Sequence, residues 1–335
     1  MASPVPIEAS RPVRWGIAST GGIAASFTRG LALLPDAEVI AVASRTRESA
    51  DRFAFDHEIP HRHASYESMA NDEDVDVVYI GTPHSRHCDD TLLYLNAGKH
   101  VLCEKPFALN EEQATRMADA AQRNQRFLME AIWSRFLPAY VQLRHIVSDG
   151  RIGDVAIVEA SFGFRAPFDP AHRLFALELG GGALLDVGLY PVQLAHMLLG
   201  EPDEVTANAE IGETGVDEQV AVVMSYDDGP MAVAMAAVRA KLASTARIGG
   251  RKGIIVLPAM MHHPQYLEIT DERGAVDHID TPAEGNGLHY QAEEVHRCLR
   301  AGRLESAVMP LADSRAIART LDRARADIGL RYPGE

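Results

Sequence analysis

Lysine is scarce in this chain, occurring only as Lys99, Lys105, Lys241 and Lys252. Lys105 stands in Glu104-Lys105-Pro106, just past the strand-like run "HVLC". In open α/β sheets, ligands bind at the carboxyl ends of the strands. An ammonium there stabilises a developing oxyanion or lowers the pKa of a neighbouring acid. A second group is "DVGLYP", in which Asp186 and Tyr190 are four apart and share a face if the segment is helical. Pro191 then lies in the first turn of that helix or bends it. A third is "STGGIA", Ser19 to Ala24, directly after the apolar run Val13 to Ala18.

The third group has the form of a turn that holds a dinucleotide. A backbone approaching a pyrophosphate leaves no room for a side chain and needs open amides at a helix start. In the G-x-G-x-x-G/A register the chain offers Ser19, Gly21 and Ala24, with Thr20, Gly22 and Ile23 completing the turn. Ser19 replaces the usual first glycine, and its hydroxyl is small enough to reach a phosphate. The second strand ends in Ala43-Ser44-Arg45-Thr46-Arg47, where an NAD site prefers an acid. Arginine suits a ribose 2'-phosphate in charge and fork geometry. Arg45, which follows the strand directly beside Ser44, is expected to select NADP, with NAD possible.

These groups need elements to carry them. Apolar runs at Val13 to Ala18, Glu38 to Ser44, Asp74 to Pro83 and His100 to Pro106, with a short one from Arg126, read as strands. Helical stretches separate them, which predicts a parallel sheet covered on both faces. After Ala131 the rhythm changes. A helix is expected from Pro138 to Asp149, then a long extended run from Asp154 to Phe164. A helix bearing Asp186, Tyr190 and His196 follows the glycines Gly180 to Gly182. Strand-like runs at 204–211, 219–226, 231–237, 245–248 and 253–257 predict a mostly antiparallel sheet. Two closing helices, 290–301 and 311–328, complete the chain. The expected fold is α/β, a Rossmann-type parallel sheet at 1–131 followed by an α+β domain on an open sheet at 132–335. The closing helices could pack back on the first domain.

With these motifs placed, the chain resembles the glucose–fructose oxidoreductase and inositol dehydrogenase family. Within it the pattern is similar to the dimeric dihydrodiol dehydrogenase and NADP-dependent D-xylose dehydrogenase group. The residues that carry the likeness are "RWGIASTGGIA", "YIGTPHSRH", "AGKHVLCEKP", "MEAIWSRFLP", "GGGALLDVGLYPVQLA" and the closing "IGLRYP". The resemblance implies hydride transfer between a nicotinamide and a hydroxyl-bearing carbon of a sugar, polyol or cyclic diol. It implies a catalytic role for Lys105 beside Glu104. It implies that Tyr190, where many members carry histidine, exchanges the hydroxyl proton. Asp186 would bind substrate hydroxyls or orient Lys105 or Tyr190. Trp133 matches a pocket aromatic, with Arg165 and Phe168 as further substrate contacts. The loop Thr82, Pro83, His84 to His87 would approach the nicotinamide or its ribose. His87 resembles a recurring family histidine, or it caps the next helix. The outer sheet face implies a homodimer or homotetramer. A sugar-ketone reductase of the anhydrofructose type and a silent NADP-binding regulator are the alternative readings.

Other classes find little support. A net charge of −15 without a basic block argues against a nucleic-acid partner. The apolar runs near Gly180 and Val192 are too interrupted to cross a membrane. The polar opening, Met1 to Arg11, lacks the apolar centre of a signal peptide. Cys88, Cys103 and Cys298 show neither pairing nor metal spacing, which predicts a reducing, cytoplasmic setting. His57, His61 and His63, like His262 and His263, lack a companion carboxylate motif, so no metal is expected. There is no G-x-S-x-G elbow and no G-K-[ST] after the triple glycine.

Overall fold

The structure is a computed structural model and describes residues 6–8 and 10–335, so residues 1–5 and 9 of the opening segment lie outside it. The chain forms two compact units. The first gathers the chain up to Ala108 with Glu112–Phe136 and Glu284–Ser314; the second holds Leu109–Glu111, Leu137–Ala283 and Arg315–Glu335.

The first unit carries β1 (Val13–Ala18), α1 (Gly22–Leu31), β2 (Ala37–Ala43), α2 (Arg47–Asp56), β3 (His61–His63) and α3 (Tyr66–Ala70). It continues through β4 (Val77–Ile80), α4 (His87–Asn96), β5 (His100–Glu104), α5 (Glu111–Asn124) and β6 (Leu128–Ala131). Its six strands pair in the order β3-β2-β1-β4-β5-β6, all parallel. The order reverses between β1 and β4, which places the binding crevice at their carboxyl ends. There the Ser19 amide donates to the Ala43 carbonyl (3.1 Å) and the Gly81 amide to Ala18 (3.0 Å).

The second unit carries α6 (Pro138–Ser148), β7 (Val155–Gly163), α7 (Leu189–Leu199), β8 (Glu204–Ile211), β9 (Asp217–Ser225) and β10 (Met231–Ala237). Then come β11 (Ala246–Gly250), β12 (Gly253–Leu257), β13 (Tyr266–Asp271) and β14 (Val276–Asp280). Helix α8 (His289–Arg300) lies in the first unit, and most of α9 (Leu311–Ile328) in the second. The eight-stranded sheet runs β14-β13-β12-β11-β7-β10-β9-β8. Every pair is antiparallel except β7 with β10. Strands β3, β13 and β14 and helix α3 add to the elements expected from the sequence.

The helix that bears Tyr190 corrects one expectation. Leu177–Leu199 is a 23-residue helical stretch long and apolar enough to cross a membrane, although its runs read as too interrupted. Its apolar surface is spent elsewhere, because 83% of its most apolar 18-residue window is buried inside the structure. It opens with the 3-10 turn Leu177–Leu179, and after the three glycines a π turn, Leu184–Gly188, leads straight into α7. Pro191 has no N–H to give back to the preceding turn, and a widened turn there accommodates the missing bond. The triple glycine sets the approach. A Cβ on Gly181 would lie 2.9 Å from the Arg173 carbonyl, and one on Gly182 would strike the Asp217 carboxylate. Asp217 thereby reaches the Leu184 amide at 2.6 Å.

In the first unit a column of aromatic rings supports the strand ends. Trp15 of β1 meets Phe27 of α1 edge-on at 5.3 Å, and Phe27 stacks on Tyr79 of β4 at 3.9 Å. The Tyr79 hydroxyl donates to Glu104 Oε1 at 2.6 Å, while Glu104 Oε2 accepts the Lys105 amide at 3.1 Å. Glu130 of β6 accepts the Phe107 amide at 2.9 Å, which holds the loop on the far side of Lys105. Helix α8 is tied to β1 by Trp15 Nε1, which donates to His296 Nε2 at 3.0 Å.

Tyr79→Phe removes a donor from Glu104 and should destabilise the protein by about 1–3 kcal/mol in urea denaturation; an unchanged midpoint would contradict the brace. Burial pushes Glu130 and Asp217 each up to about 7. The unfolded chain loses those protons first, near the ordinary carboxylate range, so folding holds protons that the unfolded state has released. Stability should therefore fall as pH rises from about 5 to 7, by up to about 1.4 kcal/mol per pH unit for each group. Glu130→Gln should flatten that slope; an equal slope in the variant would contradict it.

Candidate active site

The turn after β1 takes a form that the sequence did not disclose. Ser19 has φ 135°, a left-handed conformation that favours glycine, so the serine stands where glycine would be unstrained. Its Oγ accepts the Gly21 amide at 3.1 Å, a local bond that helps hold the turn. Gly21 is the N-cap of α1 and offers no side-chain cap, and the first turn carries no acid. The first amides of α1 therefore face an unscreened positive dipole end. A Cβ on Gly22 would meet nothing within 4 Å. Gly21, Gly22 and Ile23 are all exposed.

At the neighbouring strand end, Thr20 Oγ1 lies 3.4 Å from Ser44 Oγ, which joins the turn to the end of β2. The two arginines beyond it differ. Arg47 is engaged by Asp51 at 3.3 Å and by the Arg62 carbonyl at 3.2 Å. Arg45 is exposed and makes no hydrogen bond or ion pair among the described residues. Across the crevice, beyond β4, Thr82 is buried and its Oγ1 has no partner among the described residues. An open helix start, an unclaimed guanidinium and an orphaned hydroxyl at one sheet edge fit a nicotinamide dinucleotide: Ser19 to Ile23 for the pyrophosphate, Ser44 and Arg45 for the adenosine ribose.

Pro83 leads into the 3-10 turn His84–Arg86, where His84 is buried and lies edge-on to His87 at 5.7 Å. His87 departs from the expected cofactor contact. It is fully buried, with Nδ1 2.7 Å from the Pro106 carbonyl and Nε2 2.9 Å from the Thr82 carbonyl. Both ring nitrogens are spent on the protein, so His87 is a strut between the β4 turn and the loop that carries Lys105. Burial lowers its pKa against the pull of the two carbonyls, and the nearby Lys105 ammonium lowers it further. Lys105 itself is half-buried at the end of β5. Trp133, also half-buried, opens the 3-10 turn Trp133–Phe136 in the same unit.

In the second unit Tyr190 is buried among rings. Phe162 lies edge-on at 5.5 Å and His262 tilts against it at 5.2 Å, with Phe162 and His262 stacked on each other at 4.2 Å. Asp186, one turn earlier and also buried, accepts a bond from Arg173 at 2.8 Å. Sequence reading missed Phe162 and Arg173, and weighed His262 only as a metal ligand. No spacing signals them, because they come from separate strands and loops. Arg165 is exposed, and its backbone pairs with that of Arg239 in an isolated antiparallel bridge. Phe168 packs edge-on against Phe175 at 5.2 Å, under the Arg239 guanidinium at 5.4 Å. A buried phenol beside aromatic surface, with a carboxylate one turn away, can exchange a proton with a hydroxyl on a flat or ring-shaped substrate.

Residues 13–132 match the oxidoreductase family with an NAD-binding Rossmann fold, and residues 140–256 match the GFO/IDH/MocA C-terminal domain. A trans-1,2-dihydrobenzene-1,2-diol dehydrogenase from Xenopus laevis is 42% identical over 329 residues, covering 96% of this chain and 99% of the relative. A 3-ketoreductase from Actinomadura kijaniata, solved with NADP and TDP-benzene, shares the fold with TM-score 0.86 at 24% identity, over 95% of this chain and 98% of that one. Levoglucosan dehydrogenase, solved with NADH and levoglucosan, does so with TM-score 0.87 at 21% identity and the same coverage. By sequence over both units and by fold, the chain belongs to the GFO/IDH/MocA family of NAD-binding oxidoreductases.

Proposed function

We propose that this protein is an NADP-preferring dehydrogenase of cyclic trans-diols or sugars. The observation that carries the reading is Tyr190 set against Phe162 and His262, in a chain 42% identical to a dihydrobenzenediol dehydrogenase over nearly its full length. The aromatic setting suits the face of a flat diol or the apolar face of a sugar. Arg45, unclaimed and exposed, supports NADP over NAD, since no acid stands at that strand end to bind an unmodified ribose.

The residues divide the work. Tyr190 takes the proton of the reacting hydroxyl, and in the reverse direction returns it. Lys105 contributes positive charge that stabilises the oxygen as its proton leaves. Asp186, steadied by Arg173, orients substrate hydroxyls, with Trp133, Arg165 and Phe168 as further substrate contacts. When bound, the nicotinamide supplies the site for hydride exchange. Run in reverse, the same groups would reduce a sugar ketone.

The setting belongs to the same reading. The outer face of the large sheet exposes Ile157, Met231 and Met235, and β7 and β10 place Ile157 and Met231 opposite one another. We assign that face to a homodimer, or to a tetramer built from two. All three cysteines are buried and unpaired, in keeping with the cytoplasm.

Tyr190→Phe should lower kcat by about 10²-fold or more with the diol or sugar substrate. Unchanged turnover would remove Tyr190 from proton transfer. Arg45→Ala should raise KM for NADP while leaving that for NAD nearly unchanged, and the preference should narrow at high salt. Equal losses for both nucleotides would contradict the 2'-phosphate contact.

A further inference from the structure

Strand β3 carries a chemistry that the oxidoreductase reading leaves unused. In His61-Arg62-His63 the two histidines are two apart, so both imidazoles stand on one face of the strand. The carboxylate that sequence reading found missing is Asp72, which follows α3. His61 Nδ1 lies 2.7 Å from Asp72 Oδ2, and His63 Nε2 lies 3.0 Å from the same oxygen. The three ligand atoms all lie within 4.8 Å of one another.

The surroundings hold these groups in place. Asp72 Oδ1 accepts the Asp74 amide at 3.0 Å, which fixes the carboxylate plane and directs Oδ2 at the histidines. His63 Nδ1 lies 2.9 Å from Ser68 Oγ. A hydroxyl can donate or accept, so Ser68 suits either tautomer of His63. That is the outer contact that orients a metal-bound imidazole. His61 is 38% exposed at its side chain, His63 15% and Asp72 9%, which gives an ion a route from solvent to a half-sheltered position. The opposing charge is Lys99, whose ammonium is held by the Val75 carbonyl at 3.0 Å and by the Asp72 carbonyl.

We propose that His61, His63 and Asp72 form a binding site for a zinc-type divalent cation. Two imidazole nitrogens and one carboxylate oxygen are the donor set that such ions take, with water completing the coordination. Around a tetrahedral cation with bonds of about 2.0–2.2 Å the ligand atoms stand about 3.3–3.6 Å apart, so both imidazoles must draw back from Asp72 Oδ2, His61 further than His63. On binding, the proton on His63 Nε2 is replaced by one on Nδ1, directed at Ser68 Oγ, and His61 shifts its own to Nε2. The ion would staple the short edge strand β3 to the turn after α3. It would lie in the first unit near the end of β2, because the Ser44 amide donates to the His63 carbonyl at 3.1 Å.

The test is calorimetric titration of zinc chloride into the full-length, chelator-stripped protein, repeated with cobalt(II) and read by its visible absorption. One zinc per chain is expected. His63→Ala and His61→Gln should each weaken binding at least tenfold, and Ser68→Ala by about tenfold. His278, another histidine beside carboxylates (Asp280 at 3.2 Å and Glu268 at 3.7 Å), provides the control, and His278→Ala should bind as the parent does. Metal-free melting temperatures of the variants, compared with the parent, separate lost ligands from lost fold. No binding by the parent, or equal binding by folded His63→Ala and His61→Gln, would overturn the site.

Discussion

The placement of Lys105 depends on one buried carboxylate. Glu104 ends β5 in the interior and spends one oxygen on the Tyr79 hydroxyl and the other on the Lys105 amide. A buried carboxylate without donors would be costly, so the bonds that satisfy it also fix the backbone on which the lysine stands. Tyr79 is in turn held by the stack of Phe27, and Phe27 by Trp15. The chain from core ring to the Lys105 backbone thus runs through contacts of sheet and helix, and rigid elements locate a side chain better than loops do. His87 and Glu130 close the same loop from its other side, through the Pro106 carbonyl and the Phe107 amide.

The second unit solves a similar problem with glycine. Tyr190 must sit in a helix that lies close against the sheet. The helix start is brought in by Gly181 and Gly182, where no side chain fits, and is capped by Asp217. The π turn that follows absorbs Pro191 and still keeps Asp186 and Tyr190 one turn apart and both buried. Both units therefore hold a buried acid pushed up to about 7, Glu130 in one and Asp217 in the other. Each accepts backbone amides beside a residue assigned to chemistry, so stability has been given up where position matters.

Much of this was legible in the residues. Five strands of the parallel sheet declared themselves as apolar runs, and the helix with Asp186 and Tyr190 by its spacing. Strand β3 did not, because "HRH" is three polar residues whose strand character comes only from pairing with β2. Strands β13 and β14 are flanked by polar turns, and β14 is mostly exposed, so no hydrophobic alternation marks it. Ser19 read as a replacement of the usual first glycine; the backbone shows that the glycine-like conformation is kept with serine in place. The convergence of Phe162 and His262 on Tyr190, and of Arg173 on Asp186, was invisible because convergence in space leaves no trace in spacing. For the same reason Asp72 could not be joined to His61 and His63 before the fold was known.

The most direct measurement is absorbance at 340 nm with the parent protein, given NADP or NAD and a panel of trans-dihydrodiols, D-xylose, D-glucose and myo-inositol. The account predicts turnover on a cyclic diol or a sugar, with kcat/KM higher for NADP than for NAD. Tight NADPH binding with no turnover on any member of the panel, in either direction, would contradict it and favour a protein that binds the nucleotide without using it.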